Sequence, residues 1–151
     1  FTQLFVHGPC GVGKTHLLKA LVNGFRHVEV MSRYITLPDL LQEIKDLFGD
    51  GDQAESVIQN YRKAKVLCLD EIDKINMTGW ARETVFRLLN SRYEEREELL
   101  TVMATNTLPE NMPPEMGYLA SRMREGAIIP VGGPDVRAVK GSASRARKDL
   151  E

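Results

Sequence analysis

The sequence is poor in cysteine and contains no long apolar run. Its 151 residues include two cysteines, Cys10 in a glycine-rich stretch and Cys68 in an apolar segment, and neither is placed like half of a structural disulfide. No segment approaches the roughly 18 apolar residues that a membrane-spanning helix needs. The first residues also lack the pattern of a secretory signal. We therefore expect a protein of the reducing cytoplasm that has no membrane partner.

A large excess of one charge is also missing. The chain has 20 lysines and arginines against 21 aspartates and glutamates, which gives a formal net charge of -1. This balance argues against a protein that coats nucleic acid through its overall charge, but it does not exclude a local basic patch. The segment 138–151 is rich in Gly, Ser, Ala, Arg and Lys, so we predict a basic flexible tail there. Its cations could follow a phosphate backbone, although a solvated tail is the simpler interpretation.

The strongest chemical signal is the segment GPCGVGKT, which follows an apolar run and precedes a helical pattern. Its glycines allow a tight turn whose backbone N–H groups converge on phosphate oxygens. Lys14 supplies a positive charge for the outer phosphates, and the Thr15 hydroxyl can hold Mg²⁺. The following helix points the positive end of its dipole at the same anion. The predicted phosphate-binding residues are Gly8, Pro9, Cys10, Gly11, Val12, Gly13, Lys14 and Thr15.

Strand and helix patterns alternate along the chain, which is typical of a parallel sheet covered on both faces by helices. The first helix is predicted to end at Asn23, because Gly24 is a typical terminator. The predicted strands are Leu4 to His7, His27 to Met31, Val66 to Leu69, Leu99 to Thr105 and Ala127 to Val131. The predicted fold class is therefore α/β, a three-layer P-loop NTPase fold with a five-stranded parallel sheet.

A pair of carboxylates, Asp70 and Glu71, ends the third predicted strand. The carboxyl edge of a parallel sheet is where such folds bind ligands, and Asp70 can hold Mg²⁺ there through water. Glu71 is suited to orient and deprotonate an attacking water as a general base. The alternative is a carboxylate pair that caps the next turn. For Asp73, two residues further on, a turn or capping role is the favoured interpretation.

Two later residues complete the candidate site. Asn106 closes the fourth predicted strand, where its neutral amide could position the attacking water, although asparagine also commonly ends strands as a turn residue. Arg122 lies in a short helical segment whose apolar residues share one face, so we expect its side chain to point away from the core. An arginine supplied across a subunit boundary can neutralise charge on a transferring phosphoryl group. An ordinary surface arginine is the alternative.

Taken together, these motifs resemble a known family. The segments GPCGVGKTH, LCLDEID, NSRYEER followed by TVMATN, and LASRMREG are similar to the AAA+ ATPase domain of DnaC- and DnaI-type helicase loaders. The transposition helper IstB and the initiator DnaA are close in pattern. The resemblance implies Walker A residues Lys14 and Thr15, Walker B residues Asp70 and Glu71, a sensor at Asn106 and an arginine finger at Arg122. It also adds His16 to the nucleotide-binding residues.

The resemblance covers about residues 1–137, which we interpret as one ATPase domain ahead of the tail 138–151. Too few residues follow it for the helical lid of larger AAA+ proteins, a feature that the loaders also lack. The amino-terminal helicase-binding region of the loaders is missing too. Since the chain starts at Phe1 and enters a strand almost at once, we suspect that an upstream segment has been removed.

The function implied by the resemblance is an ATP-driven assembly factor with ATP/ADP and Mg²⁺ as cofactors. The expected partners are further copies of the chain, a replicative DnaB-type helicase and single-stranded DNA. An IstB-like transposition helper and a DnaA-like initiator stay open as alternatives. A P-loop kinase for a small molecule is less favoured, because we find no second substrate site. A GTPase is also less favoured, because the chain has no Asn-Lys-x-Asp stretch.

Overall fold

The computed structural model describes residues 2–136. Within this range the strands are β1 Gln3–His7, β2 Ser32–Thr36, β3 Val66–Asp70, β4 Leu100–Thr105 and β5 Ala127–Pro130. The α-helices are α1 Lys14–His27, α2 Leu37–Asp46, α3 Gly51–Arg62, α4 Gly79–Glu94 and α5 Gly117–Glu125. Short 3-10 helices at Pro109–Asn111 and Pro114–Met116 precede α5. The predicted tail 138–151 lies outside the described residues.

Across residues 2–136, the strands form one five-stranded sheet in the order β2-β3-β4-β1-β5. Every neighbouring pair is parallel, and β1 lies between β4 and β5, so that Leu4 is opposite both Val102 and Ala127. Parallel neighbours need long crossover connections, which here contain the helices. The predicted α/β fold with a five-stranded parallel sheet is confirmed.

Apolar clusters on the two faces of the sheet hold the layers together. Strand β3 contributes to both clusters, since successive side chains of a strand point to opposite faces. Leu67 and Leu69 pack with residues of α2, α4 and α5, whereas Val66 and Cys68 pack with Leu18 of α1. These strand residues are at most 3% exposed. Strand β3 is therefore fixed from both sides, and so is the carboxyl end that carries Asp70.

The second strand lies later in the chain than the sequence pattern predicts. Helix α1 continues through Gly24 to His27, and Glu29 then adopts a left-handed turn with φ 61°. A glycine inside a helix costs only about 1 kcal/mol relative to alanine, which tertiary packing can outweigh. Strand β2 uses Ser32–Thr36 instead, in register with β3. The predicted helix end at Asn23 and the predicted strand from His27 were wrong, because strand pairing overrode local propensity.

Arg92 of α4 is a buried cation, 1% exposed, near the amino ends of β3 and β4. Its Nε donates to the Thr101 hydroxyl at 2.9 Å. Its other nitrogens donate to backbone carbonyls at 2.7–3.1 Å, namely those of Tyr61, Arg62, Ala64 and Leu100. Burial lowers the pKa of Arg92 to about 10, so the guanidinium still carries its charge at neutral pH. The side chain ties α4 to β4 and to the turn that leads into β3.

Two smaller predictions can be compared with the described residues. Cys10 is exposed and Cys68 is buried, and no disulfide joins them. Burial raises the pKa of the Cys68 thiol to about 12, so it stays protonated in the core. Among the helices between residues 2 and 136, none is both long enough and apolar enough to cross a membrane.

Candidate functional site

The carboxyl ends of β1, β3 and β4 lie side by side, and the residues that follow them line one cavity. The predicted site residues in its wall are Cys10, Gly11, Gly13, Lys14, Thr15, His16, Asp70, Glu71 and Asn106. Four more described residues near strand ends contribute, namely Asp73, Lys74, Ala104 and Thr105. Within the described range, the predicted residues Gly8, Pro9, Val12 and Arg122 lie outside this lining. The cavity thus collects residues from positions far apart in the sequence.

The loop after β1 has the backbone conformation that its glycines permit. Gly11 and Gly13 have φ of 83° and 100°, a left-handed region that side-chain-bearing residues rarely adopt. Gly8 is required for another reason, because a Cβ there would overlap the carbonyl oxygen of Val131. Helix α1 begins directly at Lys14, so its amino-terminal N–H groups face the cavity region. This arrangement suits an anion such as a phosphate group.

Lys14 is largely buried, with 9% of its surface exposed. Its Nζ donates to the backbone oxygens of Gly8 at 2.6 Å and Pro9 at 2.7 Å. Burial lowers the pKa of Lys14, while the nearby carboxylates of Asp70 and Asp73 act in the opposite direction. The ammonium is therefore held inside the loop by carbonyls that a phosphate could replace.

Asp70 is 3% exposed at the end of β3, and its carboxylate is held by several donors. Thr15 Oγ1 donates to Oδ2 at 2.6 Å, and the Tyr34 hydroxyl donates to the same oxygen at 2.9 Å. The backbone N–H of Glu71 donates to Oδ1 at 2.8 Å. Burial raises the pKa of Tyr34, and its hydrogen bond to Asp70 raises it further, so the phenol remains a donor. Sequence reasoning did not identify Tyr34.

The same residues fit a magnesium ion bound together with a nucleotide. Mg²⁺ in such sites takes one or two protein oxygens and completes its shell with water and phosphate. Thr15 and Asp70 supply a hydroxyl and a carboxylate that are already in contact. Residues 2–136 contain no group of three or more His, Cys, Asp or Glu side chains that could hold a metal by themselves.

Glu71 follows Asp70 in a left-handed conformation with φ 55°, which is uncommon for a residue with a side chain. Its carboxylate accepts a hydrogen bond from Lys74 Nζ at 2.8 Å, and both side chains remain well exposed. This hydrogen bond raises the pKa of Lys74. Both residues line the cavity. The candidate base is thus next to the nucleotide region, with an ammonium as its present partner.

Asn106 lies just beyond β4 in the cavity wall, and Asp73 holds its backbone in place. Asp73 Oδ2 accepts from the Asn106 N–H at 3.0 Å and from Thr107 Oγ1 at 2.8 Å. The other oxygen, Oδ1, is buried and has no hydrogen-bond partner among the described residues. Asp73 therefore fixes a loop, as the capping interpretation expected, but the loop is the one after β4.

Arg122 points away from the apolar face of α5, but residues of its own chain cover it and it does not point freely into solvent. Its side chain is 12% exposed and lies over the Tyr93 ring, 4.0 Å from the ring centre. It donates to the hydroxyl of Tyr118 at 3.0 Å, to Glu125 at 3.1 Å and to Asn90 at 3.2 Å. Helical spacing placed it correctly away from the apolar face of α5. The spacing within α5 carries no information about α4, which covers the other side of Arg122.

The segment after β5 returns to the phosphate loop. The backbone N–H of Val136 donates to the Gly11 oxygen at 3.0 Å, and Val136 lines the cavity. The contact is made through backbone atoms, which leave no distinctive residue type in the sequence.

Comparison with known proteins now connects this geometry to a family. The family model for the bacterial DnaA ATPase domain matches residues 1–130. The chain belongs to this family. The DnaA family assignment agrees with the AAA+ resemblance, although the motifs had favoured the DnaC- and DnaI-type branch. The chain is thus an AAA+ ATPase domain of the DnaA family.

Curated DnaA relatives are much longer than this chain. The chromosomal replication initiator protein DnaA of Limosilactobacillus reuteri is 26% identical over 138 residues, which cover 90% of this chain and 31% of the relative. The DnaA protein of Spiroplasma apis is 32% identical over 129 residues, which cover 83% of this chain and 48% of the relative. The chain therefore spans between about a third and a half of these DnaA proteins.

Several solved structures share the fold of this chain. Domain III of Thermotoga maritima DnaA has a TM-score of 0.77 at 25% identity, covering 89% of this chain and 56% of that one. A replication initiator DnaA bound to AMPPCP and single-stranded DNA has a TM-score of 0.79 at 21% identity, covering 88% and 41%. The DnaC helicase loader has a TM-score of 0.74 at 21% identity, covering 87% and 78%.

Proposed function

We propose that this chain is the Mg²⁺-dependent, ATP-hydrolysing part of a cytoplasmic replication protein that assembles on single-stranded DNA and loads a replicative DnaB-type helicase. The single observation that carries the ATPase part is the contact of the Thr15 hydroxyl with the Asp70 carboxylate inside the phosphate-loop cavity. We also propose that residues 1–137 form the ATPase domain and that 138–151 are a basic extension.

In the proposed reaction, the N–H groups of the phosphate loop and the start of α1 bind the phosphates of ATP. Lys14 exchanges the carbonyls of Gly8 and Pro9 for oxygens of the outer phosphates. Thr15 and Asp70 would hold Mg²⁺, which supplies charge neutralisation at the phosphates when bound. Glu71 takes a proton from the attacking water, and Asn106 orients that water. The ion pair between Glu71 and Lys74 must loosen for this step.

The test of the ATPase is phosphate release from Mg²⁺-ATP, measured with and without single-stranded DNA. We expect Glu71→Gln to bind ATP nearly as well as wild type and to lower turnover by about 10² or more, the scale of a general base. Asp73→Ala is not a suitable control, since Asp73 holds Asn106; Glu83→Gln, exposed on α4, is the matched one. Turnover of Glu71→Gln near that of wild type would contradict the assigned base.

We further propose that copies of the chain assemble with ATP between them and that Arg122 of one copy neutralises charge on the nucleotide of the next. Arg122 has contacts with Asn90, Tyr118 and Glu125 within its own chain, so this role requires their release. An arginine finger contributes about 10³-fold or more to turnover in the best-studied cases.

Arg122→Ala is expected to bind ATP but to lose most of its turnover. Mixing it with Lys14→Ala subunits should restore part of the activity, because some interfaces then combine an intact loop with an intact arginine. Arg124→Ala, exposed on the same helix, is the control and should behave as wild type. If Arg122→Ala keeps full activity, or if activity does not depend on protein concentration, the shared site is wrong.

A DnaA-like initiator is the second candidate, and the match of the DnaA family over residues 1–130 favours it. The two functions differ in their DNA product. A loader increases the amount of helicase on preformed single strands, whereas an initiator opens a duplex. Helicase retention on a single-stranded template and strand opening on an origin duplex should therefore be measured in parallel with the full-length protein.

A further inference from the structure

Tyr34 lies in the middle of the edge strand β2, opposite Cys68 of β3. From there its hydroxyl reaches Asp70 Oδ2 at 2.9 Å, the oxygen that also accepts from Thr15 at 2.6 Å. The backbone N–H of Glu71 donates to Asp70 Oδ1 at 2.8 Å. The carboxylate thus accepts hydrogen bonds from α1, from β2 and from the backbone of the residue that follows it. Of these donors, only Tyr34 comes from an element that plays no part in the proposed chemistry.

A buried carboxylate with several donors has a fixed orientation, because rotation would break hydrogen bonds in a region that water reaches poorly. When Mg²⁺ is present, the Thr15 hydroxyl oxygen is also a ligand of the ion, so its position is set by the ion as well as by Asp70. The Tyr34 hydroxyl can keep its hydrogen bond to Asp70 with or without the ion. Groups that orient the ligands of a metal typically change metal affinity by about 10- to 100-fold when removed.

We propose that Tyr34 is a positioning residue that holds the Asp70 carboxylate ready for the magnesium ion of Mg²⁺-ATP. This inference rests on the proposed role of Asp70 as a magnesium residue. It predicts that the Tyr34 hydroxyl matters for metal affinity and not for the binding of metal-free nucleotide, which depends on the phosphate loop.

The chain offers a closely matched pair of tyrosines for the test. Tyr34 and Tyr61 are both half-buried, and both pack against an apolar cluster. A cation lies over each ring: Lys19 Nζ is 5.0 Å from the Tyr34 ring centre, and Arg33 Cζ is 5.9 Å from the Tyr61 ring centre. Each hydroxyl donates to a carboxylate, but the acceptor of Tyr61 is Glu43, which does not line the cavity. Replacement by phenylalanine removes one hydroxyl in each case and keeps the ring.

The experiment measures Mn²⁺ binding by electron paramagnetic resonance, with the full chain saturated with AMPPCP. We expect Tyr34→Phe to weaken Mn²⁺ binding by about 10-fold or more, and Tyr61→Phe to match wild type. In EDTA, all three proteins should bind the nucleotide with the same affinity, which also shows that Tyr34→Phe is folded. A Mn²⁺ affinity of Tyr34→Phe within twofold of wild type would overturn the inference, as would an equal loss for Tyr61→Phe.

Asp70→Asn separates this inference from the function on which it rests. If wild type binds Mn²⁺ with AMPPCP and Asp70→Asn weakens that binding, the magnesium role of Asp70 is supported. An unaffected Tyr34→Phe then overturns only the role of Tyr34. If Asp70→Asn binds Mn²⁺ as tightly as wild type, both the proposed magnesium residue and the inference fail.

Discussion

Lys14 and Arg92 are both buried cations that donate hydrogen bonds to backbone carbonyls. Lys14 lies near the carboxyl ends of the strands and Arg92 near their amino ends, and the two side chains differ in how they are held. Arg92 meets carbonyls from several segments and a threonine hydroxyl, at the amino ends of β3 and β4. Lys14 meets two carbonyls of its own loop, on the side where the cavity opens.

The two side chains indicate that burial of a charge can serve either the stability of the fold or the binding of a ligand. The acceptors of Arg92 are fixed parts of the fold, so the charge holds together segments that are distant in sequence. The acceptors of Lys14 are neighbours within a loop, and they can be exchanged for the oxygens of an anion. Burial lowers the pKa of both groups, and Lys14 in addition lies in the wall of the cavity. A buried charge at a cavity wall therefore marks a ligand site more reliably than burial alone.

The largest effect is expected for Arg92→Ala. Four carbonyls and one hydroxyl would lose their donor, at about 1 kcal/mol each, so the free energy of unfolding should fall by about 5 kcal/mol. Since domains of this kind are stable by only about 5–15 kcal/mol, the variant should be close to unfolding. Urea denaturation followed by circular dichroism measures this loss.

Arg92→Lys is the control, because it keeps the charge but has a single ammonium in place of the planar fork. We expect it to lose about half as much free energy of unfolding as Arg92→Ala. If Arg92→Ala were within about 1 kcal/mol of wild type, the structural role assigned to this cation would be wrong.

A smaller effect, and one on binding instead of stability, is expected for Lys14→Ala. Charge-assisted hydrogen bonds contribute about 1.5–3 kcal/mol each, so loss of the ammonium should weaken ATP binding by about 100-fold or more. Titration with a fluorescent ATP analogue measures the affinity. Lys74→Ala is the control from the same cavity, and we expect it to change ATP affinity only a few-fold. Equal ATP affinity for Lys14→Ala and wild type would contradict the phosphate-loop assignment.

The stability of Lys14→Ala should stay within about 1 kcal/mol of wild type. Burial lowers the pKa of Lys14 below its ordinary value of 10.5, which means that folding disfavours the charged form. This cost is present at neutral pH and disappears as the pH rises through the lowered pKa towards 10.5. Removing the charge relieves it and offsets the hydrogen bonds that are lost. A loss of several kcal/mol in urea denaturation would place Lys14 with Arg92 as a structural cation.

The parts of the site that could be predicted from sequence are those encoded by adjacent residues. The phosphate loop needs glycines at fixed positions, and Asp70 and Glu71 are charged residues directly after an apolar strand. Tyr34 was missed because its strand was misplaced. The segment from His27 to Met31 alternates apolar residues and follows a glycine, whereas β2 carries more polar residues and is selected by its pairing with β3.

The contacts of Arg122 and Asp73 were beyond sequence reasoning for a similar reason. Asn90 and Tyr93, which cover Arg122, belong to α4, and the groups that Asp73 holds follow β4. Such pairs form only when distant elements pack. Local spacing therefore predicted the direction of Arg122 on its helix but not its burial.

The central position of β1 has a consequence for how the protein is made. Phe5 pairs with Met103 on one side and with Ile128 on the other, so both neighbours of this strand are synthesised about a hundred residues later. At translation rates of 5–20 residues per second, the first strand must wait roughly 5–20 s for its partners. Closure over such sequence distances is slow compared with local helix formation. The phosphate loop, although it is synthesised well before these partner strands, should be among the last parts of the domain to become functional.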